Sequence, residues 1–308
     1  MQKISIVIPV YNSSENLREL VYQLDKALVF CKYEIIFVND YSKDNSWEII
    51  CDLCANNNKI IGINFRKNFG QDNALLAGLQ NTSGEYIVIM DDDLQHSPFD
   101  IEKLYLKCLE GYDICFADFR NKEQAAWKNA GSWLNGKIAT ILLGKPKDLY
   151  LSPFKIIKGS VVRDIKFRGA FPYIDGILLE LTQNIISIEI KHFKRFKGKS
   201  NYNLIKSISV FLKTLTSFSV IPLRIAALTG FIIAVFGFTL GGYYLYEYFT
   251  NTTVEGWTTL IVTLLIIGGL MLMFIGLIGE YLGRMYLTVN NKPQYSIGEI
   301  LNKENENI

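Results

Sequence analysis

The stretch Tyr86-Ile87-Val88-Ile89-Met90-Asp91-Asp92-Asp93-Leu94-Gln95-His96 joins an apolar run to three consecutive carboxylates. A short run of this β-rich composition reads as a buried strand. Adjacent like charges repel and are costly to desolvate, so an acidic exit from a buried strand needs a reason. Side chains alternate along a strand, which sends Asp91 and Asp93 to one side and Asp92 to the other. Two hard oxygen ligands then converge on one spot. That arrangement suits Mg²⁺ or Mn²⁺ when phosphate oxygens complete the shell. The alternative is a solvated turn before a helix, with Asp93 or Ser97 as cap and Pro98 in the first turn.

Around this strand, residues 1–125 alternate between two periodicities. Strands are predicted at 4–10, 34–38, 59–64, 85–90 and 113–116, and helices at 14–30, 46–56, 72–80 and 98–110. A βαβα order of this kind predicts an α/β domain with a doubly wound, mainly parallel sheet. Ligands in such sheets bind beyond the carboxyl ends of the strands. Polar clusters fall there: Pro9 to Asn12, Asn39 to Ser42, Arg66 to Gln71 and Asp91 to His96. Neither G-x-G-x-x-G after the first strand nor G-x-x-x-x-G-K-[ST] occurs, which argues against a dehydrogenase or a P-loop ATPase.

The 308 residues leave room for one large α/β domain and an appendage. A net charge of +2 gives no electrostatic basis for a nucleic-acid partner. Met1-Gln2-Lys3 runs straight into a strand, so no signal peptide is expected. The five cysteines suit reduced, cytosolic thiols, with Cys51 and Cys54 one helical turn apart on a core-facing surface.

The appendage reads as a membrane anchor. Residues 225–246 and 257–279 carry no charge, and each exceeds the roughly 20 apolar residues that cross a bilayer. The link at 247–256 holds two glutamates and no Lys or Arg, whereas 191–224 holds eight basic residues and no acidic ones. The positive-inside rule therefore puts both flanks in the cytoplasm. Apolar residues at 204, 205, 208, 211, 212, 215 and 218 recur with a helical period, suiting a helix in the headgroup plane. The domain reading is a cytosolic catalytic domain at 1–200 and an amphipathic interfacial region at 201–222. A transmembrane hairpin at 223–283 and a cytosolic tail at 284–308 follow.

The motifs Ser5-Ile6-Val7-Ile8-Pro9-Val10-Tyr11-Asn12, Val38-Asn39-Asp40-Tyr41-Ser42-Lys43-Asp44, Arg66-Lys67-Asn68-Phe69-Gly70-Gln71 and Met90 to His96 resemble glycosyltransferase family 2 with the GT-A fold. Together with Gly198-Lys199-Ser200-Asn201-Tyr202, Pro222-Leu223-Arg224 and the two-span hairpin, they are similar to its polyprenyl-phosphate glycosyltransferases. The resemblance implies that Asp91 and Asp93, with Gln95 close by, hold a divalent ion on the donor's phosphates. It places Pro9, Tyr11, Asn12, Asn39, Asp40 and Asp92 around the donor nucleotide. Arg120 is implied near the acceptor phosphate with Lys199 and Ser200, and His192 and Arg195 near the donor diphosphate. Asn39 and Tyr41 depart from the Asp-Asp-Gly-Ser that the family more often carries, so base recognition falls mainly on Asp40. Residue 152, where relatives often carry a carboxylate, is a serine.

The activity implied is inverting transfer of one sugar, UDP-linked glucose or a related hexose, to undecaprenyl phosphate at the inner membrane. The partners implied are a nucleotide sugar, a polyprenyl phosphate and the membrane, with no nucleic acid. A homo-oligomer, and a flippase or downstream membrane glycosyltransferase, stay open as further partners. Two other readings stay open: a transferase extending a lipid- or protein-linked saccharide, and a non-catalytic membrane adaptor retaining the fold.

Overall fold

The computed structural model describes residues 2–119, 146, 149–166, 172–190, 221–250, 256–290 and 293–303. Arg120, His192, Arg195, Lys199 and Ser200, and the helix expected at 203–219, lie outside the described residues. The chain divides into two compact units, Met1–Asn203 with Lys292–Ile308, and Leu204–Asn291.

In the first unit, the apolar runs form β1 (Lys3–Val10), β2 (Lys32–Asn39), β3 (Ile60–Phe65) and β4 (Tyr86–Ile89). The crossovers are α1 (Leu17–Ala27), α2 (Ser46–Asn56) and α3 (Gln71–Leu79). A 3₁₀ turn at Pro98–Asp100 leads into α4 (Ile101–Leu109) and β5 (Ile114–Asp118). There follow β6 (Lys155–Lys158), α5 (Gly159–Arg163), α6 (Ile174–Leu181) and β7 (Ile185–Glu189). The sheet order is β7-β5-β6-β4-β1-β2-β3-β8, where β8 is Ile297–Leu301. Pairing is parallel for β1 with β2 and β4, β2 with β3, and β5 with β7. It is antiparallel where β6 joins β4 and β5, and where β8 joins β3.

The winding steps outward from β1 through β2 to β3, then returns to β4 on the other side of β1. This reversal opens a crevice beyond the carboxyl ends of β1 and β4, where doubly wound sheets bind ligands. Ile4, Ile6, Val7 and Ile8 of β1 are all fully buried, since helices cover both faces of a parallel sheet. Close approach on one face requires Gly78, where a Cβ would stand 2.3 Å from Val7 Cγ1. With α3 seated that deeply, its first residue, Gln71, meets the exit of β4. Cys54 packs into the core under Gly62, the cysteine role read from the sequence.

The second unit holds α7 (Ile221–Thr250) and α8 (Trp257–Val289). Each contains a stretch long and apolar enough to cross a membrane, Leu223–Tyr243 and Ile266–Val289, with its side chains largely exposed. The chain then returns to the first unit. The residues expected as a C-terminal tail supply β8, which closes the β3 edge of the sheet.

At the opposite, amino end of the strands, Glu34 is locked in place. Its carboxylate accepts bonds from Ser5 Oγ (2.5 Å), Ser83 N (2.7 Å) and Lys3 Nζ (2.6 Å). Burial alone would raise this carboxyl, but the bonds from Lys3, Ser5 and Ser83 bring it below its ordinary value. A depressed carboxyl stabilises the fold above the unfolded-state value, and that stability is lost as pH falls through the folded one. Glu34→Ala should therefore destabilise the domain by about 1–3 kcal/mol at neutral pH. It should also flatten the acid limb of a thermal-unfolding series, while the activity per folded molecule is unchanged.

Candidate active site

The exits of β1 and β2 are stitched together first. Asn12 N donates to Ser42 Oγ (3.0 Å), Lys43 N to Asn12 Oδ1 (2.7 Å) and Ser42 Oγ to Asn39 Oδ1 (2.5 Å). Asn39 is 2% exposed, and its amide donates to Asn64 Oδ1 (2.8 Å). Its amide thus orders the rim through Asn64 and Ser42. Pro9 is buried, while Tyr11 and Tyr41 stand half exposed at the mouth. Asn12 and Tyr41 take left-handed backbone conformations, φ 55° and 58°, and Leu94 beyond β4 does so at 60°. Such strain in non-glycine residues collects at functional rims.

Asp40 closes the next loop. Its oxygens accept Phe69 N (2.6 Å) and Gly70 N (2.9 Å), and its carbonyl accepts Asn68 Nδ2 (3.1 Å). Gly70 sits at φ +92°, a conformation that glycine adopts without a Cβ penalty. Burial pushes the Asp40 carboxyl up, against the lowering effect of the two N–H groups. The loop continues into Gln71, whose amide donates to Asp91 Oδ1 (2.9 Å).

Two of the three carboxylates beyond β4 part as alternation predicts. Asp91 turns to Gln71, whereas Asp92 bonds to Ser13 and the backbone of Tyr11 on the β1 side. Asp93 is buried and accepts Gln95 N (3.1 Å). Asp91 is half-buried, with protein packed around its carboxyl. That burial, then Asp93 and Asp92, pushes its carboxyl up to about 7. Asp92 rises to about 6, chiefly by burial. His96 fixes the turn from below. It is 4% exposed, stacked between Phe119 (5.4 Å) and Phe154 (5.2 Å), and its Nδ1 accepts Asp91 N at 3.4 Å.

Two participants escaped the sequence reading. Lys155 of β6, its side chain 3% exposed, pairs with Asp175 in the first turn of α6. The Lys155 charge lowers both Asp91 and Asp72, so it stands as a fixed cation beneath the acidic cluster. Asp72 remains accessible to solvent, yet the protein around it, and then Asp175, push it up to about 6. A lysine inside the run Phe154-Lys155-Ile156-Ile157 was the available signal, because a charge in a buried strand needs a partner. Ser152, where a carboxylate is more usual, bonds the backbone N and O of Phe154 instead.

A family model described as glycosyl transferase family 2 matches residues 5–165, more than half of the chain. The chain belongs to glycosyltransferase family 2. The GtrB C-terminal hairpin model matches residues 221–285, the segment that holds α7 and most of α8. An undecaprenyl-phosphate 4-deoxy-4-formamido-L-arabinose transferase of Photorhabdus laumondii is 30% identical, covering 100% of this chain and 97% of the relative. An uncharacterized glycosyltransferase of Synechocystis sp. is 31% identical over 97% of this chain and 95% of its own. Among solved structures, a glucosyl-3-phosphoglycerate synthase of Mycobacterium tuberculosis with Mn²⁺, UDP-glucose and phosphoglyceric acid superposes with a TM-score of 0.51. It is 16% identical, covering 70% of this chain and 78% of that one. This family 2 glycosyltransferase therefore has the GT-A fold that its motifs predicted, with two apolar helices after the catalytic domain.

Asp91→Asn keeps the size of the side chain and an oxygen for Gln71 but removes the charge. Transferase activity should fall by about a hundredfold or more. The unfolding midpoint of the ligand-free enzyme should stay level or rise, since the substitution relieves repulsion among the three carboxylates. A lower midpoint would show that the charge stabilises the fold.

Proposed function

We propose that this transferase moves one sugar, with inversion, from a nucleotide diphosphate sugar onto a polyprenyl phosphate at the cytosolic face of the inner membrane. The observation that carries the reading is the acidic rim at the sheet's switch point, in a chain whose next segment matches a hairpin family model. The Mycobacterium synthase solved with Mn²⁺ and UDP-glucose supports a UDP-linked hexose as donor. The Photorhabdus relative supports undecaprenyl phosphate as acceptor. Chain topology supports a hairpin with both ends on one side. The chain leaves the first unit for α7 and α8 and comes back as β8 of the same sheet, which an odd number of crossings would forbid.

The donor set fits a hard divalent cation. Asp91, Asp93 and the Gln95 amide oxygen are hard ligands, and what raises Asp91 after burial is repulsion from Asp93 and Asp92, which such an ion would relieve. When bound, Mg²⁺ or Mn²⁺ supplies Lewis-acid stabilisation of the charge that develops on the departing nucleoside diphosphate. Around it, Gln71 and His96 hold Asp91 from two sides. Asp40, with Pro9, Tyr11, Asn12 and Asn39, is assigned to the nucleotide, and its bonds to Phe69 and Gly70 keep the 68–70 turn closed beside it. A lipid phosphate has its second pKa near ~6, so its dianion attacks the anomeric carbon without a strong general base. The bond from that carbon to the diphosphate oxygen breaks on the opposite face, inverting the configuration. Arg120, with Lys199 and Ser200, is assigned to the acceptor phosphate. His192 and Arg195 are assigned to the donor diphosphate, where a guanidinium's fork can bond two oxygens.

Membranes containing the enzyme, given Mn²⁺, undecaprenyl phosphate and radiolabelled nucleotide sugars, should yield label in the organic phase. Membranes carrying Asp93→Ala should yield none. Absence of lipid-soluble label with every donor would overturn the acceptor assignment, and label from the Asp93→Ala enzyme would overturn the metal assignment.

A further inference from the structure

We infer that the C-terminal segment 293–303 is part of the donor site, with Tyr295 as a positioning residue for the loop that reaches Asp40 and Asp91. This inference rests on the donor-site reading above. Its basis is a continuous set of contacts that nothing in the catalytic motifs requires. The Tyr295 ring stacks on Phe65 at the end of β3, with centroids 5.2 Å apart and planes 12° apart. Its hydroxyl donates to Gln80, the residue that follows α3. Tyr295 therefore touches both ends of one insert, the loop and helix that run between Phe65 and Gln80. Within that insert, Phe65 meets Phe69 edge-on at 5.5 Å, and Phe69 N and Gly70 N clamp Asp40. Gln71 then reaches Asp91.

The neighbouring bonds fix the segment in register. Arg66 N donates to Ser296 O (3.0 Å) and Arg66 Nε to Ile297 O (3.2 Å). Beyond β8, Asn302 takes φ 58° and aims its amide at the carbonyls of Cys54 (2.6 Å) and Ile60 (3.0 Å). Lys303 Nζ reaches Asn81 Oδ1 (2.8 Å). Asn302 and Lys303 anchor the far end of the segment, which leaves Tyr295 and Arg66 as the contacts next to the active loop. A merely structural strand would need none of the contacts that converge on residues 65–71.

The test uses the full-length enzyme in nanodiscs, with donor kinetics, UDP calorimetry in Mn²⁺ and hydrogen exchange. Wild type binding no UDP would sink the donor-site reading itself, apart from this inference. With wild-type binding in hand, Tyr295→Leu removes the stack. It should raise donor KM by about three- to tenfold, leaving kcat and the lipid KM unchanged. Exchange should quicken in peptides spanning 66–71 and stay constant in β1 and β4. Tyr295→Phe, which keeps the stack, should restore donor KM to within about twofold of wild type. Arg66→Met acts on an exposed side chain at the sheet edge and should raise donor KM in the same direction even where the Leu variant fails to fold. Wild-type donor KM in the Leu and Met variants, or exchange quickened equally throughout the domain, would overturn the inference.

Discussion

Carboxylates gathered at the carboxyl ends of β2 and β4 resist being brought together, and the architecture around them is organised to hold them there. Asp91, Asp92 and Asp93 follow one another in the chain, and burial, then repulsion from Asp93 and Asp92, raises Asp91 toward neutrality. The fold meets that repulsion with neutral donors. It spends backbone N–H groups, an amide and a hydroxyl on them, and keeps one buried ammonium, Lys155, below. Neutral donors orient an anion while leaving its charge available to a ligand, whereas a salt bridge would quench it.

The same logic explains why the site lies where the sheet reverses its winding. At β1 and β4 the crossovers leave in opposite senses, which opens the crevice between them. The loops that rim it carry backbone strain at Asn12, Tyr41 and Leu94, held by the side-chain network through Asn39, Ser42 and Asn64. At the far end of the strands Glu34 plays the opposite part. Its bonds satisfy it fully and serve stability alone.

Much of this was legible in the chain. Strands buried on both faces read as apolar runs, so β1 to β5 stand out, and alternation alone separated Asp91 from Asp92. The role of Asp40 toward Phe69 and Gly70 was not legible, because backbone N–H partners leave no trace in residue identity. Strand β8 was missed for a different reason. Ile297-Gly298-Glu299-Ile300-Leu301 is short, largely exposed and pairs with residues far away in sequence, so local pattern carries no sign of its place. Lys155 left a sign, a charge among buried isoleucines, but its partner Asp175 lies 20 residues on in another element, where residue identity does not mark it.

The position of β8 at the end of the chain has a consequence for biosynthesis. Ribosomes make α7 and α8 before they make Ile297–Leu301, so the outer edge of β3 carries unpaired backbone groups until both apolar helices have emerged. The catalytic sheet thus gains β8 only after the two apolar helices have been made. A chain that stops before Ile297 lacks this strand, and the edge of β3 then stays open.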